Sequence, residues 1–181
     1  VKSVDDNLAN YRIPEAARAL DDFVDDMSNW YVRRSRERFW AKDMPQDKIN
    51  AYMTLYTALV TFIKASAPMI PFMTEEIYQN IVRSVDASAK ESIHLCDFPV
   101  YNAEQVDEKL EADMDLVLKI VVLGRACRNG AAIKNRQPIG NMFVKAPFEL
   151  SEYFKEIIED ELNVKKVSFT DDVSSYTSYT F

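Results

Sequence analysis

The fold is decided by residues 14–40, PEAARALDDFVDDMSNWYVRRSRERFW, in which apolar side chains recur at the spacing of an α-helix. The apolar stripe includes Leu20, Phe23 and Trp30. Pro14 stands where the first turn of a helix tolerates a proline. Acidic residues cluster near the beginning of the stretch and basic residues near its end, which is the order that the helix dipole favours. We therefore predict one long helix over residues 14–40.

Three more helices are predicted further along the chain. Asp47 is the expected N-cap of a second helix, and Thr74 that of a shorter third helix. The fourth helix carries an apolar face that includes Gly124, where the missing side chain permits close helix packing, and it ends at Gly130. Together these helices predict a bundle of about four helices over residues 1–130.

The last part of the chain has a different pattern. Residues 142–146 and 165–170 are predicted to be short strands, and residues 151–162 an amphipathic helix between them. This order predicts a β-α-β unit. The expected fold is therefore mainly α, with a helical bundle in residues 1–130 and a small α+β C-terminal subdomain in residues 131–181.

Composition excludes several classes of function. The 22 Lys and Arg residues against 29 Asp and Glu residues give a net charge of −7, so a site for nucleic acid must be a local basic patch. One His and two Cys cannot supply a four-ligand zinc site without carboxylate ligands, and the three glycines match no phosphate-binding loop. We predict no metal, no cofactor and no catalytic residue in this chain. Without a secretory signal or a membrane-spanning apolar stretch, a cytoplasmic location is expected.

The basic end of the first helix holds the first candidate site. Arg34 and Arg38 continue the apolar stripe and are predicted to be partly buried beside carboxylates, because a buried unpaired charge is costly. Arg33, Arg36 and Trp40 group on another face. Guanidinium groups bind phosphates and an indole ring stacks on a base, which is typical of single-stranded RNA recognition. A solvated basic helix end is the alternative interpretation.

A second basic segment contains five positive charges and no acidic residue. In an acidic chain, this segregation indicates a possible contact surface for phosphate, although cations also suit the end of a helix. The segment consists of Arg125, Arg128, Lys134, Arg136 and Lys145.

Several segments resemble the C-terminal, anticodon-binding region of isoleucyl-tRNA synthetases, which are class I aminoacyl-tRNA synthetases. They occur in the order found in that family and span most of the chain. The matching segments are residues 29–40, residues 67–78 (APMIPFMTEEIY), residues 91–95 with Asp97 and Pro99, residues 135–139 (NRQPI) and residues 161–165 (ELNVK).

The resemblance implies the anticodon-binding helical bundle of class I aminoacyl-tRNA synthetases, which grips the anticodon stem and loop of isoleucine tRNA. In such a ligase, the catalytic domain of the same chain uses ATP and magnesium to attach isoleucine to its tRNA. A separate editing domain hydrolyses the mischarged valyl product. The catalytic signatures of the class are absent here, so this chain is predicted to be a non-catalytic part of the ligase. The expected tRNA-binding residues are Arg33, Arg36, Trp40, Arg125, Arg128, Lys134 and Arg136.

Two alternatives remain open at this point. The chain could belong to a sister synthetase for valine, leucine or methionine, since these enzymes share the helical bundle and some of the Pro-Phe and Glu-Glu pattern. It could instead be a helical protein-interaction scaffold that uses exposed aromatic side chains and has no role with RNA. The scaffold predicts no salt-dependent binding of tRNA.

Overall fold

The chain forms two compact units in the computed structural model, which describes residues 1–174. The first unit is Val1–Asn102, and the second begins at Ala103. The protein is mainly helical, with a small two-stranded sheet in the second unit, as the sequence predicts. The domain boundary predicted after residue 130 stays a prediction. Residues 175–181, the end of the predicted C-terminal subdomain, lie outside the described residues.

The first unit contains five α-helices. Irregular helical turns extend two of them, a π-helical turn at Met27–Val32 and another at Gln79–Arg83, and a short 3-10 turn follows at Ile93–Leu95. The helices are α1 (Lys2–Ala9), α2 (Ile13–Asp26), α3 (Arg36–Trp40), α4 (Gln46–Ser66) and α5 (Pro71–Tyr78).

The predicted long helix over residues 14–40 is divided in the structure. Regular α2 ends at Asp26, the π-helical turn follows, and Ser35 then leaves helical geometry with a ψ of 4° before α3 begins. A π-helical turn contains more residues than an α-helical turn, so it rotates everything after it relative to a regular helix. Both Arg33 and Arg36 follow this turn, but the bend at Ser35 lies between them, so regular helical spacing does not fix their positions relative to each other.

Prolines set the beginnings of α4 and α5, and the predicted caps at Asp47 and Thr74 are wrong. Helix α4 begins directly after Pro45, and α5 begins with Pro71 in its first turn. Thr74 lies inside α5, where its hydroxyl donates a hydrogen bond of 3.0 Å to the carbonyl of Ile70. A proline fixes φ at a helical value and has no N–H. A helix that begins with a proline therefore has one unpaired N–H fewer for a side chain to cap.

The core of the first unit lies between α4 and α5. Phe23 of α2 stacks on Phe62 of α4 with ring centroids 5.9 Å apart, which joins α2 to this core. Glu75 of α5 accepts hydrogen bonds from the Ser92 hydroxyl and the Ile93 backbone, so this carboxylate holds the following loop. The buried members of this core are Ile63, Ala67, Tyr78 and Ile93.

The second unit is built on one long helix and a β-α-β unit. Asp107 caps the long helix by accepting a hydrogen bond from the backbone N–H of Leu110. The two strands pair in parallel, with Met142 opposite Val167, so the predicted β-α-β arrangement is confirmed. The elements are α6 (Glu108–Gly130), β1 (Met142–Val144), α7 (Glu152–Leu162) and β2 (Val167–Phe169).

Gly124 brings α6 close to α7, as its position on the predicted apolar face indicates. A Cβ added at Gly124 would overlap the side chain of Leu162, which is itself fully buried. At Gly130, near the end of the same helix, an added Cβ would meet no atom within 4 Å. The two glycines of α6 therefore have different structural roles.

Replacing Gly124 with alanine is expected to lower the free energy of unfolding by about 1 kcal/mol, because the overlap with Leu162 outweighs the better helix propensity of alanine. The matched control, Gly130→Ala, is expected to leave that free energy unchanged or to raise it by up to about 1 kcal/mol. Urea denaturation of both variants measures the difference. Equal stabilisation by both substitutions would show that α6 and α7 do not pack closely at Gly124.

Candidate RNA-binding surface

Arg33 directly follows the π-helical turn and precedes α3. Its Nε donates a hydrogen bond of 2.7 Å to the carbonyl of Asn29, and its guanidinium carbon is 5.7 Å from the centroid of the Trp30 ring. Both contacts direct the side chain back along its own helix. Arg33 is nevertheless exposed, so its charge is available at the surface.

Arg36 and Trp40 occupy one face of α3, since Trp40 is the fourth residue after Arg36. Trp40 is 79% exposed, which is unusual for an indole ring. Arg36 is also exposed, and it makes no hydrogen bond or ion pair within the described residues. One turn of helix thus presents an unoccupied guanidinium group beside an unoccupied aromatic ring.

Arg38 fastens α3 to the beginning of α4. Its Nε and Nη2 donate hydrogen bonds of 2.7 Å each to the two carboxylate oxygens of Asp47. The Phe39 ring lies 4.9 Å from the Tyr52 ring, and the Lys48 ammonium donates to the carbonyl of Ala41 at 2.8 Å. The predicted pairing of Arg38 with a carboxylate is confirmed. This network fixes the short helix that carries Arg36 and Trp40.

Arg34, the other arginine predicted to be partly buried, is half-buried. It also interacts with another group, so it is not a free cation. Helical spacing therefore predicts correctly that Arg34 and Arg38 are less exposed than Arg33 and Arg36.

The Arg38–Asp47 pair makes stability depend on pH. Hydrogen bonds from Arg38 hold the pKa of the Asp47 carboxyl below its usual value. The stabilisation is therefore complete above the unfolded pKa of about 4 and is lost as the pH falls through the folded pKa. We expect Asp47→Asn to lower the melting temperature at pH 7 and to lower it much less at pH 3.

Thermal unfolding followed by circular dichroism between pH 3 and pH 7 checks this expectation. The control is the same substitution in an Arg38→Ala background, where the pH-dependent difference should vanish because the partner is already gone. An Asp47→Asn effect that keeps its full size at pH 3 would contradict the assignment.

Arg125, in the second predicted group, is engaged in an ion pair. Its Nη2 lies 2.7 Å from Oε2 of Glu161 on α7, and the Glu161 side chain is only 3% exposed. A buried carboxylate needs a cation or hydrogen-bond donors, and Arg125 supplies both. This arrangement ties α6 to α7.

Arg128 is buried, with 4% of its surface exposed. Its Nη2 donates to the carbonyls of Lys134 (2.9 Å), Asn135 (3.2 Å) and Gln137. The side chain thereby holds the loop that follows α6. Direct contact of Arg125 or Arg128 with tRNA stays a prediction. The geometry does not favour it, because Arg125 is paired with Glu161 and Arg128 is buried.

The sequence contains a signal for the burial of Arg128. Val117, Val121, Gly124 and Arg128 recur at the spacing of one helix face, and all four are buried. The same reasoning identified Arg34 and Arg38 as partly buried. Applied to α6, it would have separated Arg128 from the exposed cations.

Lys134 and Arg136 lie on the loop that Arg128 organises. Both are exposed, and neither makes an ion pair within residues 1–174. The side-chain amide of Asn163 donates to the carbonyl of Asn135 at 3.2 Å, which attaches the loop from its other side. Two free cations are therefore presented on a fixed loop. Lys145, the last member of the basic segment, is also exposed.

The described residues contain no group of three or more His, Cys, Asp and Glu side chains arranged to hold a metal ion. Within residues 1–174, none of the helices has both the length and the apolar character that crossing a membrane requires.

Comparison with known proteins identifies the family. Residues 1–143 match the family described as the anticodon-binding domain of tRNA ligase, which is most of the chain. The chain therefore belongs to the family of anticodon-binding domains of tRNA ligases.

Individual relatives carry a more specific name. The chain is 54% identical to the isoleucine–tRNA ligase of Clostridium novyi (strain NT) and 51% identical to that of Clostridium tetani, over 99% of this chain in both cases. It is 42% identical to isoleucine–tRNA ligase 2 of Bacillus cereus over 98% of its length. The chain spans 17% of the length of each of these relatives. The resemblance to isoleucyl-tRNA synthetases is confirmed, and the matched region is the anticodon-binding domain.

Proposed function

We propose that this chain binds the anticodon stem and loop of isoleucine tRNA as part of a longer isoleucine–tRNA ligase. The family supports the anticodon stem and loop as the target, and the names of the relatives support isoleucine. The observation that carries the proposal is the pair Arg36 and Trp40, exposed together on α3 and fixed there by the Arg38–Asp47 ion pair.

The pair suits an unpaired loop of RNA. The guanidinium group of Arg36 binds a backbone phosphate through two parallel N–H groups, and the ring of Trp40 stacks on an unpaired base. Arg33, on the preceding turn, adds a second cation close in sequence. Because α3 is anchored to α4, little side-chain and backbone freedom is lost on binding, which favours affinity.

Lys134 and Arg136 are proposed as phosphate contacts in the second unit. They carry charge without an aromatic neighbour on the same loop, so they hold the RNA backbone and do not read a base. Arg125 and Arg128 act indirectly, by tying α6 to α7 and by shaping the loop. In a chain of net charge −7, these local cations determine where a polyanion binds.

The rest of the ligase supplies the chemistry. We propose that catalytic and editing domains of the same polypeptide work with this region, that the catalytic domain uses ATP and magnesium, and that the ligase acts in the cytoplasm. This region would position the tRNA so that the acceptor end reaches the catalytic domain. No chemical step is assigned to a residue of this chain.

Fluorescence anisotropy of labelled isoleucine tRNA, titrated with the protein from 50 to 300 mM KCl, tests the proposal. We expect binding that weakens steadily with salt, with a slope that reports several phosphate contacts. A folded protein that binds no tRNA even at 50 mM KCl would contradict it and would favour the protein-interaction scaffold.

A further inference from the structure

An open apolar pocket of about 610 Å³ lies within the second unit. Its lining includes Leu116, Leu123 and Cys127 of α6 and Phe143 and Val144 of β1. The pocket lies wholly among residues of this unit. Arg36, Trp40, Lys134 and Arg136, which we propose as direct contacts with tRNA, do not line the pocket.

The charged groups around the pocket all have the same sign. Lys119, Arg128 and Lys145 line it, and no Asp or Glu does. Nε and Nη1 of the buried Arg128 have no hydrogen-bond partner within the described residues, because the three loop carbonyls all bind Nη2. These two atoms are buried, so an acidic group brought into the pocket would be attracted by the charge of Arg128 and could pair with the exposed Lys119 and Lys145.

The pocket continues onto an exposed apolar surface. Leu123, at its margin, is 65% exposed, and Phe143 is 38% exposed. A small ligand that filled the pocket would leave much of this margin in water. Exposed apolar surface next to a pocket is typical of a site that another polypeptide covers.

We propose that this pocket receives a segment of the same ligase polypeptide, with apolar side chains in the pocket and an Asp or Glu beside Arg128. The inference rests on the proposal that the chain works within a longer ligase. Relatives of this chain are about six times its length, since it spans 17% of them, so most of such a polypeptide lies outside the residues described here. The excess of acidic residues elsewhere in this chain shows that the local excess of cations is a specific feature of the pocket.

A matched pair of crosslinking variants of the longer ligase tests this inference. Leu123 and Val122 are neighbours on α6 and are equally exposed, at 65% and 64%, but only Leu123 lines the pocket. A photoreactive p-benzoylphenylalanine replaces each of them in turn. After irradiation, tandem mass spectrometry identifies the crosslinked peptides.

We expect the variant at Leu123 to crosslink to one segment of the same polypeptide at least fivefold more efficiently than the variant at Val122, and we expect that segment to contain an Asp or Glu. Equal yields at both positions would overturn the proposal. So would crosslinks only between two copies, crosslinks only to tRNA, or a partner segment without an acidic residue.

Two controls separate the possible causes of failure. Calorimetric titration with decanoate tests for a free amphiphile, and binding of decanoate without a crosslink to the polypeptide would overturn the proposal. Binding of isoleucine tRNA is measured on the same variants. Loss of tRNA binding with the crosslink intact would contradict the proposed function alone, whereas intact tRNA binding without the crosslink would overturn only the pocket assignment.

Discussion

Replacement of both Arg36 and Trp40 with alanine is expected to weaken the binding of isoleucine tRNA by about 30- to 100-fold. Loss of stacking on one base costs about 1–3 kcal/mol, and loss of one charge-assisted contact to phosphate adds to that cost. The salt dependence should change as well. The slope of log Kd against log salt should fall by about 0.7 to 0.9, because one phosphate contact is lost.

The matched control removes an arginine and an aromatic ring elsewhere in the first unit. Arg18 of α2 and Phe72 of α5 are both well exposed, and Phe72 is even more exposed than Trp40. The double variant Arg18→Ala, Phe72→Ala should bind isoleucine tRNA within about twofold of the unmodified protein. Melting temperatures of both double variants show whether the fold is intact. Equal loss of affinity in the two would mean that α3 is not the binding surface.

Replacement of Arg128 with alanine is expected to lower the free energy of unfolding by about 3 kcal/mol. Three loop carbonyls would lose a charged donor inside the protein, and loss of a partner at a buried polar site is costly. The loop that carries Lys134 and Arg136 would lose its fixed shape. Affinity for tRNA should then fall as a consequence of that disorder.

The double variant Lys134→Ala, Arg136→Ala should behave in the opposite way. Its stability should stay within about 0.5 kcal/mol of the unmodified protein, because both side chains are exposed. Its affinity for all tRNAs should fall by a similar factor, as expected for contacts with phosphates. Urea denaturation and anisotropy separate the two behaviours. If Arg128→Ala remained fully stable while losing affinity, Arg128 would be a direct RNA contact, as the sequence alone suggested.

Local signals in the sequence predict much of the fold. Pro14 stands in the first turn of α2, and α6 ends at Gly130. Gly124 marks the contact with α7, and the alternation of residues 142–146 indicates β1, although the strand is shorter than predicted and covers only Met142–Val144. In each case one residue or a short periodic run carries the information, so no distant part of the chain is needed.

Features that depend on distant residues were not predicted. The π-helical turn after Asp26 and the bend at Ser35 interrupt a perfectly periodic stretch, and Ser35 itself is buried by packing. Asp47 has the right chemistry for a helix cap, but its carboxylate binds Arg38, nine residues earlier. Helix α1 was missed because it has no side-chain cap and only one buried residue, Val4.

In the candidate site too, some features follow from the local sequence and others depend on distant residues. Exposure of Arg36 and Trp40 follows from their place off the apolar stripe, which can be read from helical spacing. Arg125 was classified with the exposed cations because its partner, Glu161, lies 36 residues away on another helix. The long-range partners of an arginine in a charged segment must therefore be known before that arginine is assigned a role in RNA binding.

The most direct test of the central claim compares two RNAs that differ only in the anticodon. Anisotropy at 100 mM KCl would measure the affinity of the protein for isoleucine tRNA and for the same tRNA with the valine anticodon. We predict tighter binding of the isoleucine anticodon, by at least fivefold, and loss of that preference in the Arg36→Ala, Trp40→Ala variant. Equal affinity for the two RNAs would contradict anticodon reading by this region and would leave it with a grip on the RNA backbone alone.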